Sequence, residues 1–219
     1  MRRAFQIPTK VHGHYVVESP DPSSTALPLL VGFHGYAETA EVHLEALRRI
    51  PGVDGWRRCA VQGLHSFYRG KTGEVVASWM TRFNRERAIE DNVRYVSEVV
   101  TRVKADFAAR GPLAYLGFSQ GTAMAYRAAA GAGHPCRALL ALGGDVPPDL
   151  AERDLTGFPR VLIGRGSCDP WYSEEKLAAD VELLRGKNVS VEVCAFDGGH
   201  EWSDPFYEAA SDLLRAIES

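Results

Sequence analysis

The feature that most restricts the fold of this chain is a regular alternation between short apolar runs and longer amphipathic stretches. The apolar runs are bounded by Gly, Pro or Asp, which is typical of buried strands separated by turns and helices. Such an alternation predicts an α/β fold, with a mostly parallel central sheet and helices on both faces. The predicted strands span residues 15–18, 29–33, 59–62, 113–117, 138–142, 161–163 and 189–196.

The clearest predicted helix lies between the third and fourth of these strands. Its apolar positions from Ile89 to Phe107 are three or four residues apart, which places them on one face, and Gly111-Pro112 ends the helix. The other predicted helices follow Gln120, begin near Ser173, and span residues 205–217.

The composition is that of an ordinary globular domain rather than a disordered or fibrous chain. Of the 219 residues, 45% are hydrophobic and 24% are charged. A chain of this length can bury most of its surface around one core. We therefore predict a single α/β domain over residues 1–219.

Charge and hydropathy exclude several classes of partner. The chain has 25 Lys and Arg against 28 Asp and Glu, a formal charge of −3, and no long basic run that would bind nucleic acid or anionic lipid. The amino-terminal MRRAFQIPTK lacks the apolar stretch of a signal peptide, and no segment is apolar enough to span a membrane. We therefore expect a cytoplasmic protein without nucleic-acid partners or a membrane span.

The most informative motif lies in the segment LAYLGFSQG, residues 113–121. A predicted buried strand leads into the G-x-S-x-G motif centred on Ser119, and Ala-rich helical sequence follows. In this strand-turn-helix context the motif is typical of the nucleophile elbow of α/β-hydrolases. Glycines without a Cβ let the sharp turn close, and the helix amino terminus directs free N–H groups toward a reacting carbonyl. Ser119 is therefore the predicted nucleophile.

A serine nucleophile needs a base that takes its proton, and the base needs an acid that orients it. In α/β-hydrolases the acid and then the histidine follow the serine along the chain. Downstream of Ser119 the histidines are His134, in a turn soon after the nucleophile helix, and His200, just past the last predicted strand. His200 is therefore the predicted base.

Two aspartates compete for the role of the acid. Asp169 follows the sixth predicted strand and Asp145 follows the fifth. We favour Asp169 because the acid of this fold usually follows the last strand but one, and because Pro170 fixes the chain beside it. Asp145 remains the alternative, whereas Asp197 lies too close to His200 in sequence to be preferred.

An acyl-transfer site also requires N–H donors for the oxyanion that forms during attack. The residue after the nucleophile, Gln120, is expected to supply one donor, and Tyr36 in the loop after the second predicted strand is expected to supply the other. His34 in the same loop precedes Ser119 in the chain. We therefore assign His34 a structural part in the loop rather than the role of a base or metal ligand.

Aromatic residues lie close in sequence to the predicted acid and base. Trp171 and Tyr172 follow Asp169, and Trp202 follows His200. Together with Trp79, these residues are expected to line an apolar substrate pocket. Residues 64–83 are too few for a helical lid and are predicted to form a loop over the rim of the site, so we expect no large cap domain and a pocket open to accessible esters.

Three other features imitate known kinds of site. Gly70-Lys71-Thr72 is similar to the end of a phosphate-binding loop, but the earlier glycine of that motif is missing. His12 and His14 lack the further ligands of a metal site. The spacing of the cysteines matches neither a zinc site nor a disulfide scaffold, so we expect reduced thiols and neither a metal nor a cofactor. The cysteines are Cys59, Cys136, Cys168 and Cys194.

Taken together, the motifs resemble the phospholipase/carboxylesterase family of α/β-hydrolases, which includes bacterial carboxylesterases and acyl-protein thioesterases. The similarity covers the chain from about residue 29 onward. The resemblance implies an α/β-hydrolase fold and a metal-independent serine esterase with Ser119, Asp169 and His200 as its triad. The motifs that carry it are His34-Gly35, Gly117-Phe118-Ser119-Gln120-Gly121, Asp169-Pro170 and Gly199-His200, in the family's order.

The sequence also departs from the family. Ala37 and Glu38 stand where the family usually has Gly and Asp, and Gly166-Ser167 stands where the family has His-Gly before the acid. The small apolar residues that follow the family's Asp-Pro are replaced by Trp171 and Tyr172. The family's substrate choice therefore does not transfer to this chain.

From these residues we expect an enzyme that hydrolyses small acyl esters through an acyl-enzyme intermediate on Ser119. A thioesterase, a peptidase or a lyase that reuses the elbow fits the same motifs. A ligand-binding protein of the same fold without turnover also fits, because neither the fold nor the geometry of a triad guarantees catalysis. The intact set of Ser, Asp, His and oxyanion loop favours the esterase.

Overall fold

The central strands carry buried side chains at consecutive positions, so both of their faces are covered. In the computed structural model, which describes residues 1–218, seven strands form one sheet and two more form a separate hairpin. The strands are β1 (Tyr15–Glu18), β2 (Leu29–Phe33), β3 (Arg57–Val61), β4 (His65–Tyr68), β5 (Val75–Ser78), β6 (Leu113–Phe118), β7 (Ala138–Leu142), β8 (Arg160–Gly166) and β9 (Val191–Phe196).

The large sheet has the order β1-β3-β2-β6-β7-β8-β9, in which β1 runs antiparallel to β3 and the other pairs are parallel. The parallel strands therefore end at a common edge, where the loops that follow them meet. β2 pairs with β3 on one side and with β6 on the other, so the connections leave in opposite directions at this point. A crevice at such a reversal is the usual ligand site of an open α/β sheet, and the loops after β2 and β6 flank it here.

Local signals set the ends of the helices. The Thr39 side chain accepts the N–H of Val42 at 3.3 Å, and the Ser173 side chain accepts the N–H of Lys176 at 3.4 Å, so each residue caps the helix that begins after it. The helices are α1 (Ala40–Arg48), α2 (Arg85–Asp106), α3 (Gln120–Gly131), α4 (Glu174–Gly186) and α5 (Asp204–Glu218).

Side chains from each central strand alternate between two apolar cores, one on each face of the sheet. Val31 and Leu139 pack into the core covered by α2, α3 and α4, whereas Leu30 and Leu140 pack into the core covered by α1 and α5. Full burial of one such side chain stabilises the fold by about 1.5–3 kcal/mol. The sheet is therefore a firm support for the loops at its carboxyl edge.

The seven strands predicted from the sequence are confirmed as elements, with shifts at some ends, the largest being the extension of β8 to Gly166. Two strands and one helix were missed. The segment predicted as a loop over 64–83 contains the hairpin of β4 and β5, whose strands pair with each other rather than with the large sheet. Helix α1 was also missed, although Thr39 as a cap and buried Leu44 and Leu47 at helical spacing were signals for it.

Among the described residues, no helix is both long and apolar enough to cross a lipid bilayer. The longest, α2, has 22 residues but carries charged side chains along most of its length. The four cysteines are free thiols, and Cys59 is buried whereas Cys168 is exposed.

Candidate active site

Ser119 occupies the sharp turn between β6 and α3, at the carboxyl edge of the sheet. Its φ of 54° and ψ of −120° are rarely adopted by a residue other than glycine, and such strain costs about 1–3 kcal/mol and is concentrated at functional sites. A Cβ at Gly117 or Gly121 would come well inside 3.0 Å of backbone atoms of the facing segments. The two glycines therefore permit the close approach of helix and strand that holds Ser119 at the turn.

The structure brings Ser119, His200 and Asp169 together from three loops. His200 Nε2 lies 2.8 Å from Ser119 Oγ, and His200 Nδ1 lies 2.8 Å from Asp169 Oδ2. Ser119 follows β6, His200 follows β9 and Asp169 follows β8. Because these strands are parallel, the loops after them lie at one edge of the sheet. A hydroxyl, an imidazole and a carboxylate in series can remove the hydroxyl proton as the oxygen attacks a carbonyl.

Hydrogen bonds hold the carboxylate of Asp169 in a fixed orientation. The side chain is 1% exposed, and Oδ1 accepts the N–H of Trp171 at 2.8 Å and that of Tyr172 at 3.0 Å, which leaves Oδ2 to His200. Burial raises the pKa of Asp169, but these three hydrogen bonds together lower the pKa by more, so it lies below its ordinary value of 3.8. Asp169 is therefore a carboxylate at neutral pH, which favours a proton on His200 Nδ1.

Two close contacts position the ring of His200. Phe118 packs against it with ring centroids 5.1 Å apart. Gly143, after β7, has a φ of +65°, and a Cβ there would lie 3.1 Å from His200 Cε1. Gly143 is thus a part of the site that sequence reasoning missed, although the pair Gly143-Gly144 at the end of a strand was a signal for it.

The residues weighed as alternatives lie elsewhere in the structure. The carboxylate of Asp145 pairs with Lys176 Nζ at 3.0 Å. His134 Nε2 lies 3.0 Å from the carbonyl oxygen of Ser97 in α2. Asp197 accepts a hydrogen bond from a serine hydroxyl at 3.3 Å. The structure therefore brings Asp169, rather than Asp145, to His200.

Two candidate oxyanion donors stand beside Ser119. Gln120 is the first residue of α3, where helix geometry leaves the N–H without an intrahelical acceptor. The loop after β2 packs against the start of the same helix, because the carbonyl oxygens of Phe33 and His34 lie next to Gly121. The N–H groups of Gln120 and Tyr36 donate no hydrogen bond to a backbone carbonyl of residues 1–218.

The loop that carries Tyr36 is braced by Glu38 and by the hairpin. Glu38 Oε2 accepts the N–H of Gly35 at 2.7 Å. Ala37 donates its N–H to the carbonyl of Ala77 in β5 at 3.0 Å, and Arg69 in the hairpin turn donates to the carbonyl of Ala37. Burial raises the pKa of Glu38 more than the hydrogen bond from Gly35 lowers it, so the net shift is upward. Glu38 is one of the departures from the family pattern, and its contact with Gly35 was not predictable from the local sequence.

The side chain of Gln120 fastens the start of α3 to the segment after β5. Its Oε1 atom accepts the Ser78 hydroxyl at 3.1 Å and the Trp79 N–H at 2.9 Å, and its Nε2 atom donates to the carbonyl of Met80 at 3.2 Å. These contacts fix the backbone of Gln120, whose N–H is one of the candidate donors. The hairpin therefore supports both sides of the site.

His34 is buried and held through both ring nitrogens. Nε2 accepts the N–H of Gly63 at 2.9 Å, so the proton belongs on Nδ1, which donates to the carbonyl of Gly35 at 2.6 Å. Burial lowers the pKa of His34, which keeps the ring neutral. These contacts fit the structural part assigned to His34 from the sequence.

Two aromatic residues expected to line the substrate pocket lie in the core instead. Trp79 and Tyr172 are both 0% exposed. The Trp79 indole N–H donates to the carbonyl of His34 at 2.8 Å, and the Tyr172 hydroxyl donates to Asp180 at 2.9 Å. Because each ring has a buried partner for its polar atom, complete burial is favourable. The structure thus corrects the expectation that these two side chains contact substrate.

The other two predicted pocket residues, Trp171 and Trp202, lie nearer the surface, and so does the ring of the candidate donor Tyr36. Trp171 is 70% exposed, and Tyr36 is 60% exposed with its ring stacked on Phe67. Trp202 is half-buried and packs against Phe118 with ring centroids 5.5 Å apart. Of these, Trp171 lines a cavity that also contains the nucleophile.

That cavity opens beside Ser119 and has a volume of about 500 Å³, which is within the range of small-molecule sites. Gln120 and Trp171 line it together with Ser119, and so do charged side chains at the start of α2 and in α4. Within residues 1–218, no three His, Cys, Asp or Glu side chains come together as they would in a metal site. The cavity therefore has room for a small molecule beside Ser119.

No family model and no curated protein matches the chain. Solved structures do match it: esterase PE8 superposes with a TM-score of 0.75 at 19% identity, over 94% of this chain and all (100%) of its own. A carboxylesterase from Mesorhizobium loti gives 0.74 at 20% identity, over 93% of this chain and 94% of its own. Acyl-protein thioesterase 2 from Zea mays gives 0.70 at 16% identity, over 95% and 100%. The predicted α/β-hydrolase fold is confirmed, and the matching structures are of the kind that the sequence resembles.

Proposed function

We propose that this chain is a serine hydrolase that cleaves carboxylic esters through an acyl-enzyme intermediate on Ser119. The observation that carries the proposal is the continuous series of Ser119 Oγ, His200 and Asp169, with both hydrogen bonds at 2.8 Å. The strained backbone of Ser119 supports the same conclusion, and so do the N–H groups of Gln120 and Tyr36, which donate to no backbone carbonyl in residues 1–218.

In the first half of the reaction, Ser119 Oγ attacks the carbonyl carbon of the ester and forms a C–O bond. His200 Nε2 takes the hydroxyl proton, and the carboxylate of Asp169 stabilises the resulting imidazolium. The carbonyl oxygen becomes an oxyanion that accepts the N–H groups of Gln120 and Tyr36. The bond to the alcohol oxygen then breaks, and His200 gives the proton to the departing alcohol.

In the second half, water attacks the acyl group on Ser119. His200 takes a proton from the water, the same N–H groups stabilise the second oxyanion, and the bond between Ser119 Oγ and the acyl carbon breaks. His200 returns the proton to Ser119 Oγ, and the carboxylic acid leaves. Every step uses side chains and backbone groups of the chain itself.

A thioesterase is the second candidate, because one of the matching structures is an acyl-protein thioesterase. The same series of residues attacks a thioester carbonyl in the same way, and the bond that breaks is then C–S. Parallel assays with an oxygen ester and a thioester of the same acyl group decide between the two activities.

Labelling with a fluorophosphonate probe tests the proposal without knowledge of the substrate, because the probe reacts with an activated serine. We expect a single adduct by intact mass, mapped to Ser119, and none in Ser119→Ala. Ser167→Ala is the matched control: Ser167 is an exposed serine near the site whose hydroxyl bonds Asp197 rather than His200. Ser119→Ala should also lower kcat by about 10⁴-fold or more.

Two results would contradict the proposal. One is a folded protein with no adduct at Ser119, which would favour a ligand-binding protein of the same fold. The other is retained ester turnover in Ser119→Ala, which would place the chemistry at another residue.

A further inference from the structure

The cavity at Ser119 is strongly positive although the chain as a whole is acidic. Its lining includes Arg82, Arg85 and Lys176 but a single carboxylate, Asp145, which gives a formal charge of 3 − 1 = +2. The whole chain has a formal charge of −3. The cavity therefore attracts anions more strongly than the rest of the surface does.

The positive charge comes from the two arginines. Lys176 Nζ is neutralised by Asp145 at 3.0 Å and donates a further hydrogen bond to the carbonyl of Trp171 at 2.8 Å. Arg82 and Arg85 are exposed and form no ion pair with any carboxylate in residues 1–218. The nearby Arg127, by contrast, is buried and paired with Asp149 at 2.7 Å.

Arg82 and Arg85 lie at the end of α2 where a positive charge destabilises a helix. Arg85 is the first residue of α2, and Arg82 lies just before the helix. The amino terminus of a helix carries a partial positive charge, so cations there are unfavourable and anions are favourable. Two unpaired guanidinium groups beside that terminus therefore add to the positive potential at the cavity instead of offsetting it.

We propose that the substrate of this site carries an anionic group, a carboxylate or phosphate, which binds Arg82 and Arg85 while the ester carbonyl lies at Ser119. This inference rests on the proposed function. A guanidinium presents a planar set of donors that matches the oxygens of either group, often through two parallel hydrogen bonds. The arginines would then select among esters and leave the chemistry to Ser119, His200 and Asp169.

The test compares esters that differ in charge on one scaffold. In the first series the charge lies on the leaving group: 3-acetoxybenzamide is neutral, 3-acetoxybenzoate is singly charged and 3-acetoxyphenyl phosphate is doubly charged. In the second series the charge lies on the acyl group: phenyl hexanoate is neutral and monophenyl adipate is singly charged. We expect kcat/KM to be about tenfold or more higher for the charged ester in at least one series, the effect of one or two charge-assisted hydrogen bonds. The preference should shrink as salt is raised from about 0.02 M to about 0.5 M, because salt screens exposed charges.

The double variant Arg82→Gln and Arg85→Gln should bring the ratio of charged to neutral kcat/KM close to about one. The matched control is Arg102→Gln with Arg215→Gln, which removes two exposed arginines that pair with Asp106 and Asp212 away from the cavity. The control should keep the ratio of the unmodified protein. All proteins are first compared by circular dichroism and thermal unfolding.

The outcomes separate this inference from the proposed function. If Ser119 takes the fluorophosphonate and neutral esters are hydrolysed at least as fast as the charged ones, the esterase stands and the anionic substrate class is wrong. A preference that survives in the arginine variant, or that does not respond to salt, also overturns the inference. If Ser119 is not labelled and no ester is hydrolysed, both proposals fail.

Discussion

The contact between Asp169 and His200 can be tested by a change of one atom. Asp169→Asn keeps the size of the side chain, and the amide oxygen can still accept the N–H groups of Trp171 and Tyr172 that Oδ1 accepts now. The amide nitrogen then replaces Oδ2, 2.8 Å from His200 Nδ1. Because this nitrogen only donates, Nδ1 must accept and the ring proton moves to Nε2. In that tautomer His200 cannot take the proton of Ser119.

From the structure we expect Asp169→Asn to lower kcat greatly and to change the packing of the site little. The charge of the carboxylate stabilises the imidazolium through a charge-assisted hydrogen bond worth about 1.5–3 kcal/mol. The wrong tautomer accounts for the remainder. Replacement of the aspartate of a catalytic triad by asparagine lowers kcat by about 10⁴-fold, which corresponds to about 5 kcal/mol of transition-state free energy.

The assay measures kcat with a neutral ester such as phenyl acetate for Asp169→Asn and for the matched control Asp145→Asn. Asp145 lies in the loop after β7 and lines the same cavity, but its partner is Lys176. An exposed ion pair of this kind contributes about 0–1 kcal/mol, so the control should lose less than about tenfold. Both variants should unfold within a few degrees of the unmodified protein.

The reverse pattern would refute the reasoning. If Asp169→Asn keeps more than about one tenth of the activity while Asp145→Asn loses about 10³-fold or more, Asp145 is the acid in solution. If both variants keep full activity, the series of Ser119, His200 and Asp169 is not the catalytic unit.

Three further predictions follow from contacts at the site. Gly121→Ala should destabilise the fold by about 1–3 kcal/mol and lower kcat, because the added Cβ would overlap the backbone of β2. Gly186→Ala is the control and should not destabilise the fold, because a Cβ there would meet no described atom within 4 Å. Equal unfolding temperatures for the two variants would contradict the prediction. Burial raises the pKa of Glu38 above its ordinary 4.5, so the ionised form costs stability as the pH rises above that value. The unfolding free energy of Glu38→Gln, relative to that of the unmodified protein, should therefore increase as the pH rises. A pH-independent difference in urea titrations would count against that assignment. Trp171→Ala should change the unfolding free energy by less than about 0.5 kcal/mol, because this side chain is exposed. The variant should raise KM for esters, because Trp171 lines the cavity at Ser119. An unchanged KM would show that Trp171 does not contact the substrate.

Features that depend on neighbouring residues were predictable from the sequence. The β6–α3 turn with Ser119 was found because its glycines, buried strand and Ala-rich helix are contiguous, and the central strands were found because both of their faces are apolar. Helix α1 and the hairpin of β4 and β5 were missed, because the first is short and the second has half-exposed strands with no place in the large sheet.

The partners of the site residues were not predictable in the same way. Nothing in the local sequence distinguishes Trp171, which is exposed, from its neighbour Tyr172, which is buried against Asp180. The bracing of the oxyanion loop by Glu38 and β5 likewise joins segments that are far apart in the chain. Burial and pairing of this kind depend on contacts between distant elements, so they follow only from the assembled fold.

The sequence by itself determined the fold class and the residue at the elbow, because both rest on local backbone preferences and on the periodicity of apolar residues. The order of the candidate acid and base was expected instead from the chain order that is usual in α/β-hydrolases. The tertiary structure alone decided that Asp169 rather than Asp145 reaches His200, and that Arg82 and Arg85 line the cavity at Ser119 without an ion pair to any of residues 1–218. The physical reason is that the parallel strands of the sheet end at one edge. Loops that are distant in sequence therefore lie close enough there for their side chains to form hydrogen bonds.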